Sequence, residues 1–333
     1  MTRPRKDKSI KRISLALQGG GAHGAFTWGA LDRLLADERI EFEAISGASA
    51  GAVNAVVVAD GLARGGRKLA RERLEAFWQA VSQALSRSAF GGGLWQNFMP
   101  PWLQDANPAA TAVKMFTQLT SPYVLNPLDY NPLRDIIARE VDFDLVHSCR
   151  SMRLIVSTTN VETGRLETFG GDDVTLDVVM ASACLPTLFK AVEINGAAYW
   201  DGGYTGNPPL MRLIKETTSS DVLIVQINPD RRGNVPRSAS AILNRLNEIT
   251  FNQSLIREIE AVEFVNEVLS MGGLEGQGYR PVRLHLIGGG ATFEKLKGFS
   301  KYNGDWQFLT RLRDAGHAEA DVWLKDNFDA LGD

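Results

Sequence analysis

The sequence predicts an α/β fold with a mainly parallel central sheet flanked by helices and with an inserted helical or loop cap. Two units at the start of the chain carry this prediction. The apolar runs at 13–17 and 42–45 each precede a segment with helical spacing, at 25–35 and 52–59. Such alternation is typical of a layered sheet whose strands are connected by helices. A near-continuous apolar run at 221–227 predicts a further strand.

The remaining elements follow from the same signals and from turn residues. Asn195-Gly196 lies between short apolar runs at 191–194 and 197–200, and this dipeptide is the strongest short hairpin signal. Asn207-Pro208 predicts the start of a helix, with an N-cap residue followed by proline at the first helical position. Further strands are predicted at 152–158, 165–169 and 282–287, and further helices at 64–86, 176–183, 238–271 and 305–328.

Composition and charge narrow the class of protein. The chain has 333 residues, 44% hydrophobic and 23% charged, which is enough for a large core. Its net charge of −3 argues against nucleic acid as a partner. Cys149 and Cys184 lack metal or redox spacing, which favours a reducing compartment and predicts a cytoplasmic protein. No apolar stretch approaches the about 20 residues of a transmembrane helix. No acidic cluster has calcium-loop spacing, so no metal is predicted.

One serine lies where a strand-to-helix turn would expose its oxygen. Gly47-Ala48-Ser49-Ala50-Gly51 is a G-x-S-x-G motif that follows the apolar run at 42–45 and precedes a helical segment. This arrangement holds a nucleophilic serine on a sharp turn. The motif does not show which group activates Ser49, because none of the four histidines is clearly identified by the sequence as its general base.

A glycine-rich loop, Gly19-Gly20-Gly21-Ala22-His23-Gly24, joins the first strand to the first helix and allows two interpretations. It satisfies the G-x-G-x-x-G pattern of a dinucleotide site. Such a site also needs an acid at the end of the second strand, where this chain has Ser46-Gly47. The other interpretation is an oxyanion hole, in which the amides of Gly19, Gly20 and Gly21 approach a carbonyl oxygen unhindered by side chains. We favour the oxyanion hole because G-x-S-x-G lies on the adjacent strand.

A candidate base follows the Asn-Gly hairpin in the stretch YWDGG, residues 199–203. A strand that ends at Trp200 would place Asp201 at a sheet edge. Gly202 and Gly203 would leave room there for another backbone or for a substrate. A lone Asp-Gly is usually only a turn, so this signal is weak by itself.

Taken together, these motifs resemble the patatin-like phospholipase family. That family is marked by a G-G-G-x-x-G loop, a G-x-S-x-G elbow and a D-G-G or D-G-A turn, which correspond here to 19–24, 47–51 and 201–203. The stretch ASACLPTLF at 181–189 also looks like the family's small-residue helix before the aspartate strand. The resemblance covers about residues 12–215.

The resemblance implies a three-layer fold and a serine acyl hydrolase that cleaves carboxylic esters of lipids, of the phospholipase or lysophospholipase type. It implies that Ser49 is the nucleophile and Asp201 the general base, in a serine–aspartate dyad that acts through an acyl-enzyme without histidine. Gly19, Gly20 and Gly21 would form the oxyanion hole. The substrate would be a lipid or another acyl ester, and no cofactor is implied. The supporting residues of the motifs would be His23, Gly24, Gly47, Ala50, Gly51, Gly202 and Gly203.

Several alternatives stay open. Many family members carry Lys or Arg at the position of His23, which is interpreted here as a tuner of the oxyanion loop, as a base near Ser49, or as a plain helix-start residue. A second possible function is that of an α/β-hydrolase esterase with a Ser49–Asp201–His285 triad, whose chain order fits. A third is a nucleotide- or lipid-binding module that uses the 19–24 loop and has no enzymatic activity.

The sequence also suggests a domain organisation. It predicts a basic flexible tail at 1–12, a catalytic domain at 13–215 with a cap insertion at about 62–130, and a C-terminal part of the same α/β domain at 216–333. The tail suits either peripheral contact with an anionic membrane or a solvated segment. Residues 88–103 mix glycine, proline and aromatic side chains, as expected of a lipid-facing lid or of a loop under a cap helix. The oligomeric state is left open.

Overall fold

The computed structural model describes residues 10–87, 121–274, 276–294, 296 and 298–332. The predicted lid at 88–103 and most of the basic tail lie outside these ranges. Within them, an eight-stranded sheet forms the centre of the molecule. Its strands are β1 (Lys11–Leu17), β2 (Ile40–Gly47), β3 (Arg153–Asn160), β4 (Leu166–Gly170), β5 (Val192–Ile194), β6 (Ala197–Asp201), β7 (Asp221–Gln226) and β8 (Arg283–Gly288).

Helices cover the sheet. In the described ranges they are α1 (Gly24–Ala36), α2 (Ala50–Arg87), α3 (Pro122–Leu125), α4 (Pro132–Glu140), α5 (Phe143–Ser148), α6 (Leu176–Ser182), α7 (Leu210–Glu216), α8 (Ala239–Ser270), α9 (Gly290–Glu294) and α10 (Trp306–Asn327). Within this part of the chain, every helix is too short or too polar to cross a bilayer.

The sheet is mainly parallel, as predicted. Strands β3, β2, β1, β7 and β8 lie side by side in that order, and each pair of neighbours is parallel. β4 pairs antiparallel with one edge of β3, and β6 pairs antiparallel with the other edge, beyond the end of β2. β5 completes a hairpin with β6. Asn195 and Gly196 in that hairpin both have positive φ, at 52° and 83°, as the turn prediction requires.

Alternate side chains of β1 explain the three layers. Ile13, Leu15 and Leu17 pack with buried residues of α1, α2 and α10 in one core cluster. Ala16 packs with buried residues of α7 and α8 in a second cluster. Because successive side chains of a strand point to opposite faces, helices cover both faces of the sheet. The predicted α/β class is therefore confirmed.

Two helices differ from what the sequence suggested. The predicted helix start at Asn207-Pro208 is wrong, because α7 begins at Leu210 and its N-cap residue is Pro209. α2 is 38 residues long, and its helical dihedral angles break at Gly65 and Gly66. Beyond that break its apolar residues are buried in the main core. The first part of the predicted cap thus packs on the main domain, and the bounds of the cap stay a prediction.

A buried carboxylate connects the last two strands to the C-terminus. Asp221 at the start of β7 accepts two hydrogen bonds of 2.8 Å from Arg283, one of 2.8 Å from His285 and one of 2.9 Å from the Gly332 N–H. Burial by itself would raise the pKa of Asp221, but the hydrogen bonds from Arg283 and His285 outweigh it and lower the pKa to about 2. This carboxylate is therefore ionised throughout the neutral range.

Asp221→Asn is expected to lower the free energy of unfolding at pH 7 by about 3–5 kcal/mol, because it leaves buried donors facing an amide. The folded pKa lies below the ordinary value of 3.8, so this stabilisation is complete above about pH 4 and is lost as the pH falls through about 2. Urea unfolding from pH 7 downward measures the difference. The control is Asp177→Asn, which breaks an exposed pair with Arg134 and should cost at most about 1 kcal/mol. Equal losses in the two variants would contradict this role of Asp221.

Candidate active site

The ends of β2 and β6 meet on one edge of β3. β2 runs parallel to β3, and its last residue, Gly47, lies opposite Val156. β6 runs antiparallel to β3, and its last residue, Asp201, lies opposite Thr158. Two strands that share this edge and run toward each other bring their carboxyl ends together on either side of Ser157. This topology places the G-x-S-x-G turn beside Asp201.

Ser49 lies on a sharp turn between β2 and α2. Its φ of 52° is unfavourable for a residue with a side chain. Its N–H donates to Oγ of Ser182 at 2.9 Å, and the residue is 8% exposed. The turn can close because a Cβ on Gly51 would collide with the Leu17 carbonyl oxygen, whereas glycine leaves that space free. The geometry is that of the strained strand-to-helix elbow predicted by the motif.

Asp201 is completely buried, at 0% exposure. Its Oδ1 accepts a hydrogen bond of 2.7 Å from the Gly203 N–H. Burial raises the pKa of Asp201 to about 7, and hydrogen bonding from Gly203 and Ser49 opposes that rise. Among the described residues, Oδ2 has no partner with full hydrogen-bond geometry. The Ser49 hydroxyl therefore makes only a loose contact with the carboxylate, which is common before a substrate binds.

Neutral hydroxyl and thiol groups surround Asp201. Burial raises the pKa of the Cys184 thiol to about 12, and the Asp201 charge adds to that rise. Burial and the same charge also raise the pKa of the Tyr204 and Tyr302 hydroxyls. The positive charge of Lys301 acts on Asp201 and lowers its pKa, in opposition to the effect of burial. The site thus combines one buried carboxylate with one nearby ammonium.

The glycine loop packs directly on the serine turn. A Cβ on Gly19 would lie 2.7 Å from the Cβ of Ser49. The Gly19 N–H donates to Oδ1 of Asn207 at 2.6 Å, and its carbonyl accepts from Nδ2 of Asn228 at 2.7 Å. The Gly19 amide is therefore occupied in this conformation. Among the described residues, the amides of Gly20 and Gly21 have no hydrogen-bond acceptor.

Buried amide side chains hold the loop in place. Gln18 accepts from the Asn228 N–H at 2.8 Å and donates to Oδ1 of Asn252 at 2.7 Å. Asn207 donates to the Phe251 carbonyl at 3.0 Å while it accepts from the loop. A buried polar network whose members are satisfied makes a site rigid. Asn228 follows β7, and Asn252 lies on α8, so the C-terminal third of the chain supports the loop.

Sequence reasoning missed most of this support. Ser182 lies within the small-residue stretch at 181–189, which gave a signal for its position but not for its contact with the Ser49 N–H. Asn207 was interpreted as a helix cap, although its side chain binds the glycine loop. Asn228, Asn252 and Lys301 gave no motif at all. Their neighbours in the chain do not indicate that they approach a loop some 200 or more positions away.

His23 lies on the side of the glycine loop that contacts residues near 300. Its Nε2 shares a hydrogen bond of 2.7 Å with Oγ of Ser300, and its ring centroid lies 4.9 Å from that of Phe293. Burial, assisted by the charge of Lys301, lowers the pKa of His23 to about 3, so the ring is neutral at pH 7. Among the described residues, no hydrogen bond joins His23 to Ser49. This geometry does not support a base at His23, and its role in the loop stays a prediction.

The alternative triad of Ser49, Asp201 and His285 is wrong. Nε2 of His285 lies 2.8 Å from Oδ1 of Asp221, at the amino end of β7. Ser49 follows the carboxyl end of β2. Strands β7 and β1 separate β8 from β2 in the sheet, so the strand order keeps His285 away from the serine turn.

The chain is similar to one protein family and to several solved structures. The family model described as patatin-like phospholipase matches residues 15–214. Among solved structures, VipD from Legionella pneumophila is 16% identical with a TM-score of 0.47, and the match covers 98% of this chain and 72% of that one. A chain in the structure of the ExoU–SpcU complex from Pseudomonas aeruginosa is 16% identical with a TM-score of 0.38. The match covers 95% of this chain and 52% of the matched chain, so this chain spans about half the length of the matched chain.

A search of curated protein sequences found no match. The family match by itself spans more than half of the chain and includes the glycine loop, the serine turn and Asp201. The chain therefore belongs to the patatin-like phospholipase family, and its general activity is that of a lipid acyl hydrolase.

Proposed function

We propose that the chain is a serine acyl hydrolase that cleaves carboxylic esters of lipids, of the phospholipase or lysophospholipase type. Ser49 is the nucleophile and Asp201 the general base. The observation that carries the proposal is a fully buried carboxylate next to a serine on a strained turn, with Oδ2 lacking a full hydrogen bond among the described residues. A buried polar atom without a partner costs free energy. Proton transfer at Oδ2 gives that atom a function.

Acylation begins when Oγ of Ser49 attacks the ester carbonyl carbon. The hydroxyl proton passes to Oδ2 of Asp201 as the bond between oxygen and carbon forms. The tetrahedral intermediate then collapses, the bond to the alcohol oxygen breaks, and the alcohol leaves with the proton from Asp201. The product of this half-reaction is an acyl ester on Ser49.

Deacylation repeats these steps with water. Asp201 accepts a proton as the water oxygen attacks the acyl carbon. Collapse of the second intermediate breaks the bond to Oγ of Ser49, and Asp201 returns the proton to that oxygen. The fatty acid is released and both residues are regenerated. The two half-reactions together add one water across one ester bond.

The free amides of Gly20 and Gly21 suit the oxyanion of both intermediates. They belong to a loop that packs on Ser49 through Gly19, and the Asn207 and Asn228 side chains hold that loop on both sides. Donors held in place before the reaction stabilise developing charge without reorganisation, and one such donor is typically worth about 2.7–4 kcal/mol.

The burial of Asp201 supports its assignment as the base. An aspartate at the ordinary pKa of 3.8 is a weak base for a hydroxyl. Burial raises the pKa of Asp201 to about 7, which is near the pH where general-base catalysis is most effective. A purely binding module would have no use for a costly buried carboxylate next to a serine, which argues against the non-enzymatic alternative.

A fluorophosphonate probe, combined with an acyl-release assay, tests this function. We expect the probe to label the wild-type protein at Ser49, located by peptide mass, and to leave Ser49→Ala unlabelled. We also expect fatty acid release from a phospholipid or a lysophospholipid in a panel that includes a neutral ester and a thioester. Labelling that persists in Ser49→Ala would place the nucleophile elsewhere. Release from the thioester alone would contradict the proposed substrate class.

A further inference from the structure

We propose that Lys301 is a positioning residue of the active site, which holds the glycine loop and presents a positive charge to Asp201, a role that rests on the proposed function. Lys301 lies on a short 3₁₀ helix, Gly298–Tyr302, nearly 100 positions beyond the Asp201 turn. His23, the residue before the last glycine of the loop, is neutral at pH 7. Lys301 places an ammonium beside the same loop from a distant part of the chain.

Lys301 supports the glycine loop in two ways, through Asn228 and by a direct backbone contact. Its Nζ donates to Oδ1 of Asn228 at 2.6 Å, and Nδ2 of the same asparagine donates to the Gly19 carbonyl at 2.7 Å. Its own carbonyl oxygen packs on Gly21, where φ is 60° and where a Cβ would collide with that oxygen. The side chain and the backbone of Lys301 thus both bear on the loop that would hold the oxyanion.

Two carboxylates act on the ammonium of Lys301. Asp201 and Glu248 attract it, and Arg232 repels it. Glu248 is already paired with Arg232 at 2.6 Å and with Arg245 at 3.2 Å. Of the two carboxylates, Asp201 is therefore the one whose charge needs Lys301 as a complement. Charges of opposite sign in a buried site interact strongly because water screens them little.

Phe251 lies next to both the ammonium and the Asp201 turn. Nζ of Lys301 lies 5.4 Å from the centroid of this ring, a distance at which a cation is attracted to the aromatic face. The same ring packs against Gly203, whose N–H donates to Asp201. Lys301, Phe251 and the turn that carries Asp201 therefore form one packed cluster.

This cluster predicts two effects on the pH dependence of activity. The Lys301 charge favours the ionised form of Asp201 and so lowers its pKa. Loss of that charge should move the acid limb of the profile to higher pH. Burial lowers the pKa of Lys301 to about 8, so the wild-type enzyme should lose activity again above about pH 8. The other titratable groups around this pair are the charged Glu248 and Arg232 and four groups that are neutral near pH 7, His23, Cys184, Tyr204 and Tyr302.

The test is kcat/KM on a soluble chromogenic ester between about pH 5 and about pH 10. Lys301→Met removes the charge at nearly constant length, and we expect its acid limb to move up by about 1 pH unit with a roughly tenfold lower maximum. Lys301→Arg keeps a charge that is not lost in this range, so its acid limb should stay in place and its activity should extend above about pH 8. The control is Lys68→Met, whose side chain is 89% exposed and which should leave the profile unchanged.

An acid limb that does not move in Lys301→Met would contradict the proposal, because a merely structural residue would lower the rate equally at every pH. If Lys301→Met does not fold, Lys301→Arg decides, and an unchanged alkaline limb in that variant would contradict the proposal. Ser49→Ala separates this role from the proposed function. An active Ser49→Ala overturns the dyad itself, whereas an inactive one with unchanged pH profiles in the Lys301 variants overturns only the role of Lys301.

Discussion

Ser49→Ala is expected to lower kcat for ester hydrolysis by about 10⁴-fold or more, because alanine removes the oxygen that would carry the acyl group. Alanine keeps the Cβ of residue 49, on which Gly19 packs. A Cβ built on Gly19 would lie only 2.7 Å from it. The loop should therefore stay in place, and KM should change much less than kcat. Steady-state kinetics on a chromogenic ester, with a melting curve for each variant, measures both effects.

Ser46→Ala is the matched control on the same strand. The Ser46 hydroxyl is buried and, among the described residues, has no hydrogen-bond partner. Its removal should leave kcat unchanged and cost no hydrogen bond. Ser49→Gly should be as inactive as Ser49→Ala but more stable, because glycine adopts a φ of 52° without strain. A Ser49→Ala variant within about tenfold of the wild-type rate would show that Ser49 is not the nucleophile.

Asp201→Asn is expected to lower kcat by about 10²–10⁴-fold, because the amide keeps the shape of the carboxylate and removes its basicity. Asp201 must be ionised to accept a proton, and its pKa is about 7. Wild-type activity should therefore fall as the pH decreases through about 7. The residual activity of Asp201→Asn should lack that acid limb. The measurement is kcat/KM against pH for both proteins.

The same substitution should stabilise the fold at neutral and alkaline pH. The folded pKa of Asp201 lies above the ordinary value of 3.8, so the wild-type protein loses stability as the pH rises from about 4 to about 7 and the buried carboxylate ionises. Asparagine carries no such cost. We expect a higher Tm for Asp201→Asn above about pH 7 and equal Tm values below about pH 4. An Asp201→Asn variant that keeps most of its activity would show that another group is the base.

The parts of the fold that were predicted correctly depend on short-range patterns. Apolar runs identified β1, β2 and β7. Asn195-Gly196 identified the β5–β6 hairpin because a two-residue hairpin turn requires positive φ at both positions, which Asn and Gly adopt most readily. The helix start predicted at Asn207-Pro208 was wrong because the same dipeptide also occurs in loops, where the asparagine side chain can bind groups elsewhere in the fold. The Asn207 side chain binds the Gly19 N–H and the Phe251 carbonyl, and both partners are distant in the chain.

The local geometry of the serine turn and of the glycine loop follows from the residues of the two motifs, since only glycine closes the turn at position 51 and lets position 19 pack on Ser49. Which distant groups meet there depends instead on how the whole chain packs. β2 and β6 run toward each other along one edge of β3, which brings Asp201 to Ser49. Strands β1 and β7 separate His285 on β8 from β2. Lys301 joins this site by packing alone. The pKa of Asp201 follows from burial by many residues at once, and burial is a property of the packed chain that no short motif contains.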